Sequence, residues 1–206
     1  GIQKRPLYPP KPVGVAIMRP GGKARYYSWG HPCNNNSSFE EGQRAVAEMY
    51  ASGGEILAHN HKFEADVSHV HMGMKDLPWE RMHDTMFSLF LQDPYASTFA
   101  LKPSAERLLN LPPDERDAVR DWLIENHIVT KTDKHWGAHI CDAPGDLVGR
   151  YAVGDVDRTA QLHKKLQPYL RSMGMLAAYD RERELMPILL ANEREGMHVD
   201  LPLLEA

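Results

Sequence analysis

The sequence is short of cysteine, of long apolar runs and of basic excess, and each shortage excludes something. Two cysteines, Cys33 and Cys141, stand far apart in 206 residues, which fits neither a disulfide framework nor a thiolate metal site. No apolar run approaches the ~20 residues of a membrane helix, and no secretory leader opens the chain. A cytosolic protein without a membrane partner is therefore expected. Lys and Arg number 24 against 28 Asp and Glu, a formal net charge of −4. That counts mildly against a broad nucleic-acid-binding surface and leaves a local site open. Internal repeats and low-complexity segments are also absent.

What remains is 42% hydrophobic and 25% charged, a composition that supports a packed core in one domain, or one domain plus a fragment of another. Gly1 opens the chain without an initiator Met, and "GMHVDLPLLEA" stops as a helix or loop begins. An excerpt of something longer is expected.

Pro6, Pro9, Pro10 and Pro12 make the first segment extended. Val13 to Met18 reads as a strand, Pro20 to Gly22 as a turn, and Ala24 to Trp29 as the hairpin partner. Candidate N-caps from Asn34 to Ser38, with Glu40 and Glu41 behind them, predict a helix to Ala51 that Gly53 and Gly54 end. Glu55 to His59 reads as a strand and Phe63 to Met72 as a helix. A further helix follows His83-Asp-Thr85 through Leu91, with Asp84 read as its N-cap. "ALKPSAERLLN" and "PPDERDAVRDWLIENH" read as amphipathic helices, the second opened by its prolines. Gly145 to Leu170 is helical with breaks expected at Gly149 and Gly154, and Tyr179 to Glu195 forms a last helix capped by Gly196. Strands come early and helices late, the pattern of an α/β domain with a small sheet on its N-terminal side.

The stretch "LAHNHKFEAD" (Leu57 to Asp66) first suggests a histidine metal site. His59 and His61 share a face only if the strand continues, however, and Lys62 to Val67 already reads as helix. His69 and His71 on a helix stand about 200° apart and cannot grip one ion. The carboxylates carry more. Tyr151 and Asp155, four apart in "GRYAVGDVDRTAQLHKKL", share a helix face, and an aspartate there suits a hard divalent cation. Trp79, Trp122 and Trp136 read as packing residues, and the basic residues of "DERDAVRDW" and "HKKL" as solvated faces.

These residues, taken in order, resemble the 3′–5′ proofreading exonuclease domain of family A (DNA polymerase I-like) polymerases, the tyrosine branch of the four-carboxylate exonucleases. Tyr151, Ala152, Asp155, Thr159 and Leu162 resemble the third motif. His59, Asn60, Lys62, Phe63 and Glu64 resemble the second. "HDTM" (His83 to Met86) and "LKPSAERLL" (Leu101 to Leu109) resemble intervening segments, and "YDRERELMPILLANEREGMHVD" resembles the helix that leads to the polymerase domain. The resemblance covers essentially the whole chain. It implies a ribonuclease-H-like fold with a mixed sheet flanked by helices. It also implies an N-terminally truncated exonuclease domain over 1–171, and a linking helix with the start of a polymerase domain over 172–206.

Two departures stand out. The first motif, Asp-x-Glu on an opening strand, is absent, so that strand is expected to be missing; Asp180 and Glu182 fall on the last helix and read as a solvated face. Glu64 stands where the family has Asp, with Asp66 as a reserve ligand. The resemblance implies two Mg²⁺ or Mn²⁺ ions, held in part by Asp155 and Glu64, with Tyr151 orienting a water. Asn60 and Phe63 would wall the terminal nucleotide of a single-stranded 3′ end from primer-template DNA, releasing nucleoside monophosphates in a bacterial or phage-infected cell. Lacking the first motif, the fragment itself is expected to be weak or inactive. The alternatives are a catalytically dead exonuclease fold that binds DNA or braces the polymerase, and a stand-alone exonuclease acting on RNA ends.

Overall fold

A computed structural model of the chain describes residues 8–111, 114–196, 200 and 203. The expected extended conformation around Pro6, the prolines Pro112 and Pro113 before the fifth helix, and most of the C-terminal stretch after Gly196 lie outside the described residues.

The early strands form where alternation predicts them. β1 (Gly14–Ile17) pairs antiparallel with β2 (Arg25–Ser28), Gly14 opposite Ser28 and Ile17 opposite Arg25. The turn between them needs a left-handed residue, which Gly21 supplies at φ +71°. α1 (Phe39–Ala51) starts in a capping box: Glu41 N–H donates to the Ser38 hydroxyl, and Ser38 N–H donates to the Glu41 carboxylate.

β3 (Ile56–Ala58), α2 (His61–Met72) and β4 (Met82–Asp84) make a crossover unit, with Ile56 opposite Met82 and Ala58 opposite Asp84 in a parallel pair. The mixed sheet expected from the sequence is thus, among the described residues, two separate two-stranded sheets. β4 was expected only as the lead-in to a helix. Three residues are too few to display a period of two, although Met82 and Asp84 are buried and His83 between them is not.

The helices follow as α3 (Thr85–Gln92), α4 (Leu101–Leu109), α5 (Asp114–Glu125), α6 (Gly145–Ser172) and α7 (Leu176–Glu195). The expected breaks in α6 do not occur. Gly149 is a close-approach residue instead: a Cβ there would meet the Tyr26 ring at 3.1 Å, so glycine lets α6 lie against β2. His31 fixes the same junction. Its Nδ1–H donates to Ala143 O and its Nε2 accepts from the Tyr26 hydroxyl, both at 2.8 Å.

Three apolar clusters result. One joins Val46 of α1, Ile56, Met82, and Met186 and Leu190 of α7. A second joins Tyr26, Val119, Leu123 and Val148. A third joins Leu89, Ala105, Leu162 and Leu166. Trp79 packs on the first, and Trp122 and Trp136 on the second, as expected of packing residues. α7 is therefore part of the same core as α1 and α2. No helix among the described residues is long and apolar enough to cross a membrane.

Candidate functional site

The "LAHNHKFEAD" segment turns sharply from β3 into α2. Asn60 sits in the left-handed region at φ 62°, ψ 49°, and its side chain does not cap the helix. Asp84 at the end of β4 takes that part: its carboxylate accepts from Asn60 N at 2.9 Å and His61 N at 2.8 Å, and from Met86 N at 2.8 Å. One buried side chain thereby holds the starts of both α2 and α3. Burial pushes the Asp84 carboxyl upward, and the three N–H groups pull it back.

The histidines here hold structure. His59 Nδ1 lies 2.8 Å from the Thr85 hydroxyl, and His61 Nδ1–H donates to His83 O at 3.0 Å. His69 and His71 turn to separate partners, Met74 O and Pro9 O.

Glu64 and Asp66 have different surroundings. Asp66 is 1% exposed and receives the Arg194 guanidinium, Nε at 3.0 Å and Nη2 at 2.9 Å, so it ties α2 to α7. Replacing Arg194 by Met is expected to lower stability by about 2 kcal/mol, since it takes the guanidinium away from a buried carboxylate. The double variant with Asp66→Asn should recover part of that loss in urea titrations; no loss in the single variant would mean the pair does not hold α7. Glu64, two residues earlier and so on another side of α2, is exposed. The protein packed around it pushes its carboxyl up from 4.5 to about 8, with the Asp84 charge adding to the push; contact with solvent tempers the rise. Asn60 and Phe63 help line a polar hollow of about 140 Å³ beside Tyr8 and Leu190. The Tyr8 and Phe63 rings stand 6.3 Å apart. A larger hollow of about 390 Å³, between β2 and the start of α6, contains none of the predicted site residues.

On α6, Tyr151 and Asp155 do share a face, and a lysine of α4 joins them. Lys102 Nζ stands 3.3 Å from the Tyr151 ring centroid and 3.3 Å from Asp155 Oδ1. Arg158 Nη1 lies 3.9 Å from the same oxygen. Lys102 and Arg158 are 7% and 5% exposed, and the Asp155 side chain is 28% exposed. Thr159 and Leu162, also in the resembled motif, are buried, Thr159 bonding back to Asp155 O at 2.8 Å.

The expected metal ligands do not assemble into a cage. Among the described residues, no group of three or more His, Cys, Asp and Glu is placed to hold an ion. Asp155 faces two basic side chains, Asp66 is taken by Arg194, and Glu64 lies at the start of α2. These carboxylates by themselves do not fit a divalent cation. Asp180 is exposed and pairs with the largely buried Arg183 at 3.1 Å, while Glu182 is part-buried, so the solvated reading holds for Asp180 and not for the whole face.

Comparison with known proteins adds a direction. The chain is 24% identical over 206 residues to the DNA polymerase DpoZ of Vibrio phage phiVC8, matching 95% of this chain and 31% of that protein. It is 29% identical over 118 residues to the DNA polymerase of Escherichia phage T5, matching 55% of this chain and 13% of that protein. The chain is related to phage DNA polymerases. It spans less than a third of either relative's length, and no family model matches it.

Sequence reading missed Lys102, Arg158 and Arg194. Lys102 did leave a signal, because it lies in the first turn of α4, where the helix dipole favours acids. Arg158 left another, three residues past Asp155 on the helix face that turns inward. Arg194, 128 residues from Asp66, left none.

Proposed function

We propose that this chain is the 3′–5′ exonuclease part of a phage-type DNA polymerase, with a ribonuclease-H-like fold that further residues of a longer chain complete. The observation that carries this reading is the ordered pair of motif segments. One lies at the turn into α2 and the other on α6, in a chain similar along 95% of its length to a phage DNA polymerase. Residues 1–171 would then be the exonuclease part and 172–206 the passage to the polymerase part.

The substrate is a single-stranded DNA 3′ end. Phe63 offers a partly exposed aromatic face beside a hollow too small for a whole nucleotide but suited to one of its parts, and stacking on such a face tolerates any base. Asn60 sets the start of α2 at that hollow, and the amides there would suit phosphate oxygens were they not already bonded to Asp84. Contact to the terminal nucleotide therefore falls to the side chains of Asn60 and Phe63. Glu64, open to solvent and not taken up in an ion pair among the described residues, is the second-motif acid in preference to Asp66. Tyr151 and Asp155 provide a hydroxyl and a carboxylate one turn apart. Mg²⁺ or Mn²⁺ at this site requires acids in addition to those described here.

The test is digestion of 3′-labelled single-stranded DNA by the complete polymerase with Mn²⁺. Stepwise release of monophosphates is expected, reduced by at least about 10²-fold in Asp155→Asn and strongly in Tyr151→Phe. Unchanged release in both variants refutes the assignment. A second reading, a retired exonuclease fold that braces DNA, is favoured by the lysine and arginine already facing Asp155. It predicts no release from the unaltered polymerase while single-stranded DNA still binds.

A further inference from the structure

Among the described residues, Val70 is the one large apolar side chain that α2 leaves exposed, and Phe90 the one of α3; α7 leaves three. Leu185, Ile188 and Leu189 are 37%, 55% and 41% exposed. At roughly 100° per residue they fall within an arc of about 100° and form one stripe. The other side of α7 is already used, with Tyr179, Met186 and Leu190 buried. Two arginines lock that orientation. Arg183 Nη1 donates to Met82 O at 3.0 Å, and Arg194 Nε donates to Asp66 at 3.0 Å. The helix cannot turn the three residues inward without breaking both anchors. Exposed polar residues border the stripe, Arg181 and Glu184 before it and Asn192 and Glu195 after it. An apolar centre inside a polar rim is the anatomy of an interface.

We propose that this face of α7 is the surface on which the polymerase part of the same longer chain docks. The phage polymerase that this chain matches along 95% of its length has 31% of its own residues in the match, so about two thirds of a protein built that way lies outside it. Three side chains are too few to hold a free partner, since specific complexes bury about 800 Å² a side. A partner tethered through 172–206, the passage to the polymerase part, meets the face at an effective concentration on the order of millimolar, where a small patch suffices. Nucleic acid does not suit the stripe. Its side chains are aliphatic and offer no ring to a base, and Glu184 and Glu195 outnumber Arg181 among the charges that border it. α7 thus has two packed faces, one in the core with α1 and α2 and one against the polymerase part, and it fixes the orientation of each to the other.

The test labels single cysteines with a maleimide in the complete polymerase, its other cysteines replaced by serine. Val70→Cys is the reference, because Val70 is 46% exposed in this chain, within the range of the α7 residues. Each rate is divided by that of the same variant unfolded in urea. Ile188→Cys is expected to react about tenfold more slowly than Val70→Cys, as for a face docked nine-tenths of the time. The protection should not change with protein concentration. Adding Ile188→Glu to Leu185→Cys should undock the face and raise the Leu185→Cys rate to that of Val70→Cys. Ile188→Cys that reacts as fast as Val70→Cys overturns the proposal. So does protection that appears only in a dimer or only with single-stranded DNA, and so does Leu185→Cys that stays protected beside Ile188→Glu. The inference rests on the proposed passage into a polymerase part and not on nuclease chemistry. Digestion that ignores Asp155 and Tyr151 sinks the exonuclease reading and leaves the labelling result to decide this one. Asp155-dependent digestion with a freely labelled Ile188→Cys sinks this inference alone.

Discussion

Replacing Asp84 by alanine is expected to lower the stability of the chain by about 3–5 kcal/mol, enough to unfold much of a marginally stable domain. The carboxylate is 1% exposed and accepts three backbone hydrogen bonds at 2.8 to 2.9 Å. Each bond to a charged acceptor is worth about 1.5–3 kcal/mol, and each buried N–H left without a partner incurs its own desolvation penalty. The full sum is not expected, because removing the carboxylate also removes the cost of burying it. Two helices depend on the one side chain. α3 loses its N-cap, and α2 loses the acceptor that substitutes for the cap Asn60 does not provide. Asp84→Asn keeps one carbonyl oxygen and should cost roughly half as much. Urea unfolding followed by circular dichroism measures both, and amide exchange at Asn60, His61 and Met86 reports where the damage lies. A loss under about 1 kcal/mol in the alanine variant would mean these amides find other acceptors, and the account of how β4 positions the start of α2 would be wrong.

Asp84 also marks the limit of what the sequence discloses. Its role as a cap for the helix that follows was legible, since an aspartate before Thr85 and an apolar run is a local signal. Its grip on Asn60, 24 residues upstream, was not, because a parallel pair between β3 and β4 is a contact at long range between strands of three residues. The hairpin β1–β2, the capped α1 and the glycine-ended α7 were readable for the converse reason: their causes lie within a few residues of one another. Gly149 was misread as a break because its justification, the Tyr26 ring, belongs to another element. The site follows the same division. Tyr151 and Asp155 share a helix face by spacing alone. That the face is occupied by Lys102 depends on α4 lying across α6, which no local pattern encodes. Asp66 was kept in reserve as a ligand for want of knowing that α7 returns to place Arg194 beside it.

Acid should unfold this protein between pH 6.5 and 4, and histidines should be the cause. Burial lowers His61 from 6.5 to about 4, with the backbone bond to His83 opposing the shift and the nearby His83 ring adding to it. Burial lowers His59 to about 4 as well. His31, His83 and His163 are shifted the same way, each chiefly by desolvation. A histidine whose folded pKa lies below its unfolded value stays neutral in the native state while the unfolded chain takes up protons. Its stabilising contribution is fully present above pH 6.5 and is lost as pH falls toward 4. For His61, 1% exposed, the full shift corresponds to about 3 kcal/mol; His59, half-buried, contributes less. Glu64 acts in the opposite sense. Its raised carboxyl binds a proton more readily in the folded state, so acidification toward 4.5 works in its favour; because the side chain is exposed, this offsets only a little of the histidine loss. The net slope is still expected to show more than one proton taken up on unfolding across the window. Urea midpoints collected from pH 8 to pH 4 give that slope directly. His61→Asn keeps an N–H donor for His83 O but cannot titrate; it should lower stability at neutral pH and flatten the acid slope by close to one proton. A slope unchanged in that variant, or stability that stays level down to pH 4, would show that His61 is not held neutral by its burial at the start of α2 against β4.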